Sequence, residues 1–306
     1  MSRGKMMNIY KVVLVLFVVT VCVAVQSSNA SAEARSKEVA PGVYAVLGIG
    51  FSNGGFIVTD EGVVVVDSLL IPAFADEMMK EIKAVTDKPV KFVINTHWHT
   101  DHVGGNERFR PPADIIGHDF TRKMIAQRRK EQEEGKADEG LKMLGKLTFT
   151  PPDITFVENM SVYLGGREIQ LKFLGGGHSA GDIVVYLPKE KVLFSGDLFM
   201  KGAGLPDYRE DSNVDNLIGS LKKMQGLDVE KIVCGHMEMA EKKDIQRSID
   251  KLVAFRQEVK GYVERNVPPE EAAQAMKFPA DENPFYEKNF KKVILKVYSD
   301  VKQSGK

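Results

Sequence analysis

Two stretches of the chain repeat one arrangement of apolar and polar positions. In the first, GGFIVTD and VVVVD enclose the turn residues Glu61 and Gly62 and end at Asp67. These runs read as two β-strands, and Phe74, Met78, Ile82 and Val85 then recur at helical spacing on one face. Past Pro89, the buried strand VKFVI leads into His97 and His99. In the second stretch, DIVVYLP and VLFSGD flank Lys189–Lys191 and end at Asp197. A helix follows with Val214, Leu217, Ile218, Leu221 and Met224 on one face, then the short strand KIVC and His236. Strand, turn, strand, Asp, helix, strand, His therefore occurs twice. The expected architecture is a layered α/β sandwich. Each half gives one sheet, the sheets pack face to face with helices outside, and polar residues at matching strand ends meet at one edge.

Between the halves, residues 127–146 are rich in charge and read as a solvated surface helix, with a flap over the cleft as the alternative. Met124, Ile125, Leu141, Met143, Leu144 and Leu147 would line a channel or fasten that segment to the domain. Beyond residue 245, Ile249, Leu252, Val253 and Phe255, then PPEEAAQAM and NFKKVILKVYSDV, predict a helical tail. The organisation expected is a signal peptide over 1–32, a catalytic domain over 33–245 and a helical C-terminal extension over 246–306.

The first 32 residues read as a targeting segment. Arg3, Lys5 and Lys11 precede the apolar run Val12–Val25, and small residues follow, with cleavage expected after Ala30 or Ala32. The run is shorter than the roughly 20 residues a membrane span requires; an uncleaved anchor is the alternative. Val21 before Cys22 is too large for a lipoprotein signal. The chain is thus expected to be exported, periplasmic or secreted, and off the membrane after cleavage. Processing leaves Cys234 as the single cysteine, so no intrachain disulfide forms. The 42 Lys and Arg balance the 42 Asp and Glu, and removing residues 1–32 tips the remainder slightly acidic. No basic face for nucleic acid follows from that balance. A small-molecule substrate is the partner expected, and the oligomeric state is open.

Histidine is scarce, six in 306 residues, yet three lie in HWHTDH at 97–102. Side chains two apart in extended chain point the same way, so His97 and His99 can grip one ion. Asp101 and His102, a tight turn later, reach a second position, with Gly104 and Gly105 bending the backbone before any helix starts. Further candidates follow apolar strands: His178 in LGGGHSAGD, Asp197 in FSGDLF and His236 in CGHME. Seven ligands exceed the four of one zinc and match two metals sharing a carboxylate. His97, His99 and His178 are assigned to the first metal, Asp101, His102 and His236 to the second, and Asp197 to both. This nitrogen-rich, sulfur-free set suits two zinc ions, and iron or manganese also accept its carboxylates. His118 reads as a surface or helix-start residue. Asp67 is either a partner behind a ligand histidine or a turn residue. Trp98 is expected to face away into packing, and Cys234 to be a buried thiol.

H-x-H-x-D-H, followed in order by GGGHSAGD, SGD and CGH, resembles the metallo-β-lactamase-fold hydrolases over about residues 41–240. The resemblance implies a four-layer αββα sandwich with the metals at one edge, and it carries the ligand roles onto the same seven positions. Lactamases with this motif lack the bridging aspartate, so Asp197 makes the chain similar to the glyoxalase II-type branch. The diiron redox branch has Glu where this chain has His99. The activity expected is hydrolysis of an ester, thioester, lactone or amide by a metal-bound hydroxide. Asp101 is the catalytic residue expected to aim that hydroxide, and no general acid stands out. The rival readings are a β-lactamase proper, a mononuclear iron persulfide-dioxygenase-like enzyme, and a non-catalytic accessory protein of the same fold.

Overall fold

The computed structural model describes residues 35–136, 144, 147–202, 209–279 and 284–304. The targeting segment expected at 1–32, together with Leu141 and Met143, lies outside these. Among the described residues no helix is long and apolar enough to cross a membrane.

Two sheets form the centre of the molecule. The first has seven strands in sequence order: β1 (Ser36–Ala40), β2 (Val43–Val46), β3 (Gly54–Val58), β4 (Val63–Val66), β5 (Val90–Asn95), β6 (Asp114–His118) and β7 (Ile154–Phe156). Pairing is antiparallel through β4 and parallel from β4 to β7. The second sheet has the order β12-β11-β10-β9-β8, made from β8 (Asn159–Leu164), β9 (Arg167–Phe173), β10 (Ile183–Leu187), β11 (Val192–Gly196) and β12 (Lys231–Cys234).

Alternation assigns the faces. Val64 and Val66 of β4 point between the sheets, where they meet Ile57, Ile94, Val185, Phe194 and Val233. Val63 and Val65 point outward onto α1 (Pro72–Val85), through Ala75, Met78 and Ile82. A strand buried on both faces reads as the unbroken run VVVV for that reason. On the outer face of the second sheet, Val184, Leu193 and Ile232 pack under α5 (Val214–Gln225). All five apolar residues expected on one face of α5 are buried there. Helix, sheet, sheet, helix is the four-layer sandwich expected from the sequence.

Three local expectations differ. Val85 is 39% exposed, and Ala75 takes its place in the buried stripe of α1. Thr100–Val103 is already a short helix, α2, so Asp101 and His102 ride on helical backbone and not on a tight turn. Gly104 and Gly105 serve close approach: a Cβ there would lie 1.9 Å from Leu70 O or 2.2 Å from Ser68 O, while the backbone at both is ordinary. A second short helix, α3 (Asn106–Phe109), follows directly.

Of the charged segment expected at 127–146, the part up to Glu133 lies in the helix α4 (Asp119–Glu133), and residues 137–143, 145 and 146 lie outside the described residues. Ile125 and Leu147 are buried with Trp98, Val103 and Phe149, and Met124 and Leu144 pack beside them, which fastens this part of the chain to the domain. The tail forms α6 (Lys242–Glu264), α7 (Pro269–Ala275) and α8 (Phe290–Ser304). Ile249, Leu252 and Phe255 join the apolar cluster under α5, whereas Val253 is 44% exposed and not part of that stripe. Helix α6 starts at Lys242 with a reciprocal Glu241–Asp244 capping box, so residue 245 falls in its first turn.

Candidate metal centre

The chain leaves both sheets at one edge in short connections carrying polar residues. His97 and His99 follow β5, and Asp101 and His102 lie on α2. His178 is in the β9–β10 connection, Asp197 follows β11 and His236 follows β12. These seven side chains meet. His97, His99, His178 and Asp197 form one group of four donors, and Asp101, His102, Asp197 and His236 another. Within each group the donor atoms lie within 4.8 Å of one another, and Asp197 belongs to both.

In the first group, His178 Nε2 is 3.0 Å from His99 Nδ1 and 3.4 Å from Asp197 Oδ2, which lies 3.8 Å from His97 Nε2. In the second, His236 Nε2 is 3.1 Å from Asp101 Oδ2, 3.2 Å from Asp197 Oδ2 and 3.4 Å from His102 Nε2. His102 Nε2 lies 3.2 Å from Asp197 Oδ1. Ligands about 2.0–2.1 Å from a tetrahedral zinc are about 3.3 Å apart, so these separations suit a shared cation.

Hydrogen bonding gives a separate test of fit. Among the described residues, five buried side-chain polar atoms have no hydrogen-bond partner. Four of them, His97 Nε2, His99 Nε2, His178 Nδ1 and Asp197 Oδ1, belong to this cluster. Buried polar groups are ordinarily paired; a cation would satisfy His97 Nε2 and Asp197 Oδ1, whereas His99 Nε2 and His178 Nδ1 lie across their rings from the two nitrogens that meet at 3.0 Å. The donors are nitrogen and carboxylate oxygen. Cys234, two residues before His236, belongs to neither group; burial pushes its thiol up to about 12.

The charges are balanced within the cluster. Burial alone would raise the Asp197 carboxyl, but the charges of His236 and His102 beside it outweigh that and hold the carboxyl well below the usual range. Asp101 is depressed in the same way, burial being overcome chiefly by His102. Burial keeps His97 and His99 well below their ordinary value, in the neutral form that binds metals. Against burial, Asp197 and Asp101 raise His102 far up and His236 to about 10, so without a cation these two rings hold protons that a cation would displace.

Groups behind the cluster fix the rings. Asp67 Oδ1 accepts from Thr96 N at 2.8 Å, and Oδ2 accepts from Thr96 Oγ1 at 2.7 Å and pairs with His102 Nδ1 at 2.8 Å. A carboxylate on Nδ1 directs the lone pair of Nε2 into the centre. Asp67 is thus the partner behind a ligand-type histidine. The Phe51 carbonyl accepts from His236 Nδ1 at 2.8 Å, with the same effect on that ring. Asp182 accepts from His178 N, Ser179 N and Ser179 Oγ at 2.9, 2.8 and 2.6 Å and shapes the glycine loop. Burial lifts its carboxyl to about 7 against those bonds. A side chain on Gly235 would place its Cβ 2.1 Å from Asp197 Oδ1, so only glycine admits the shared carboxylate.

Trp98 packs with Val103, Ile125, Leu147 and Phe149 beside the cluster, and its Nε1 donates to Asp211 Oδ2 at 3.0 Å. The guanidinium carbons of Arg128 and Arg209 lie 5.3 and 5.4 Å from its ring centroid. It walls a cavity of about 570 Å³ shared with Phe120, Met124 and Asp211, and stands edge-on to His99 at 4.7 Å between centroids. His118 is buried, not on the surface: it caps α4 by accepting from Phe120 N, and its Nε2 donates to Val157 O. Sequence reasoning missed Asn53, Thr96, Asp182 and Asp211. Thr96 stood next to His97, and Asp182 closed the GGGHSAGD motif, which were the signals available.

The metallo-beta-lactamase superfamily model matches residues 47–236, from just ahead of β3 to the last candidate ligand. The chain is 28% identical to the metallo-beta-lactamase type 2 of Elizabethkingia meningoseptica, over 68% of this chain and 78% of that one. It is also 28% identical to the 2,4-dinitroanisole O-demethylase subunit alpha of Nocardioides sp. strain JS1661, over 62% of this chain, and spans only 54% of that protein. A solved metallo-beta-lactamase from Pontibacter korlensis superposes with a TM-score of 0.58 at 24% identity, covering 71% of this chain and 98% of its own, which is a likeness of fold. With its matched span holding all seven cluster residues, the chain belongs to the metallo-beta-lactamase superfamily.

Proposed function

We propose that the chain is an exported dinuclear zinc hydrolase acting on an ester, thioester, lactone or amide of a small molecule. The carrying observation is the pair of four-donor groups that share Asp197. His97, His99 and His178 would hold one cation and Asp101, His102 and His236 the other, with Asp197 on both. When bound, two such cations would lower the pKa of water from 15.7 towards about 7 and polarise the carbonyl oxygen, making its carbon electrophilic.

The chain's own groups do the rest. Asp101 is 18% exposed, against 6% for Asp197, so it is the acid best placed to accept a hydrogen bond from the attacking water and aim it. Asp67 and the Phe51 carbonyl keep His102 and His236 in the orientation that presents Nε2. The buried rings of His97, His99 and His178 keep bulk water from the floor of the site. Export rests on the basic, apolar, small-residue order of the first 32 residues. Lactam hydrolysis is the second reading, favoured by the relatives that bear the lactamase name.

A panel of esters, thioesters, lactones and nitrocefin, assayed with purified protein, zinc and chelator, tests the proposal. Chelator-sensitive turnover of a carboxylic ester, thioester or lactone supports the main reading, and turnover of nitrocefin alone supports the second. One iron per chain with oxygen uptake on a persulfide would replace both. Metal-loaded protein inert on the whole panel would leave an accessory role.

A further inference from the structure

The β2–β3 loop touches the cluster without contributing a donor to either group, and the hydrogen bonds described between it and the cluster residues go to one half. Ser52 Oγ donates to the Asp101 carbonyl, and the Phe51 carbonyl accepts from His236 Nδ1. Asn53, 6% exposed, reaches further. Its Nδ2 donates to Cys234 O at 3.0 Å and to Met237 O at 2.9 Å, and its backbone N–H donates to Gly235 O at 2.6 Å. Its Oδ1 accepts from Gly48 N at 3.2 Å and closes its own loop. One side chain therefore ties both ends of the segment 234–237 that carries His236. That segment has two weaknesses. Met237 sits at φ 63°, the left-handed region unfavourable to a residue with a side chain, and His236 is the most exposed histidine of the cluster at 13%.

We propose that Asn53 is a positioning residue for the second cation, holding the His236 segment in the conformation that presents Nε2 beside Asp101, His102 and Asp197. The inference rests on the two-cation reading above. None of the hydrogen bonds described for Asn53 goes to His97, His99, His178 or Asp197. Its loss should therefore divide the two sites instead of weakening both.

Stepwise zinc binding is measured by competition with a chelator on the full chain, for the wild type, Asn53→Ala, His236→Ala and the double variant. Thermal unfolding of each metal-free protein is followed in parallel. Wild type should take up two ions. Asn53→Ala should weaken about 10–100-fold the step that His236→Ala also weakens, the usual effect of removing a group behind a ligand, and keep the other within about twofold. The double variant should bind no more weakly than His236→Ala, because Asn53 has nothing left to position. Asn53→Asp keeps the volume but removes both donors; it should shift the same step and replaces the alanine variant if that fails to fold. Unchanged steps, equal weakening of both steps, or additive losses in the double variant would overturn the proposal. A wild type that binds fewer than two ions would instead refute the two-cation reading itself.

Discussion

Replacing Asp67 by asparagine changes one charge and one donor at constant volume, and its effect follows from three distances. The carboxylate accepts from Thr96 N and Thr96 Oγ1 and faces His102 Nδ1 at 2.8 Å. In Asp67→Asn the amide oxygen can still accept from Thr96 N, but the amide nitrogen then meets His102 Nδ1. Two donors cannot face each other, so His102 must move its proton to Nε2, the atom aimed at the centre. Nε2–H cannot bind a cation. Restoring the other tautomer gives up a hydrogen bond to a charged group, about 1.5–3 kcal/mol. That corresponds to about 10–150-fold in affinity, in keeping with other losses behind a ligand. The second zinc should weaken by that factor and the first by less, because Asp67 pairs directly with His102 but reaches the first group only through Thr96 Oγ1, which lies 3.1 Å from His97 Nδ1. Chelator competition reads the affinities, and imidazole nitrogen shifts read the tautomer. A variant binding both ions with wild-type affinity, its His102 still protonated on Nδ1, would refute the reasoning.

Other consequences are direct. His99→Ala removes a donor from the first group; it should lose that ion and nearly all turnover while thermal unfolding stays cooperative, and retained activity would break the assignment. Metal-free protein should respond to pH from both sides. His102 and His236 are raised on folding, so their stabilisation is full below about 6.5 and fades as pH climbs through the His236 value of about 10. Asp101 and Asp197 are depressed, so theirs is present above about 4 and fades as pH falls through their folded values. Melting temperature with chelator should therefore drop above about pH 6.5, and zinc should abolish that alkaline limb; an unchanged limb with zinc would contradict it. Cys234, buried and with its thiol pushed up to about 12, should resist thiol reagents at pH 8 in the native state and react fully once unfolded.

The sequence carried what is local. Strand alternation, the helical stripe of α5 and the twice-repeated strand–Asp and strand–His endings sit within a few residues of one another, and they pointed to the two sheets and to seven side chains that the structure brings together. Contacts that close at long range left no periodic trace. Asn53 meets partners 181 and 184 residues away, and GFSNGG looks like any polar turn. Asp211 reaches Trp98 across 113 residues. Gly104 and Gly105 were visible as glycines, but the reason for them, the backbone of Ser68 and Leu70, came from folding. Val85 and Val253 kept the helical period yet stayed exposed, since a helix face has edges that packing does not reach. His118 was legible as a helix start but not as buried, because its partners are the Val157 carbonyl just past β7 and the ring of Phe173 on β9.

Anomalous diffraction at the zinc edge, from crystals grown with excess zinc, addresses the central claim most directly. Two peaks should appear, one among His97, His99 and His178 and one among Asp101, His102 and His236, with the Asp197 carboxylate touching both. A single peak, or peaks away from that edge of the sandwich, would contradict the dinuclear account.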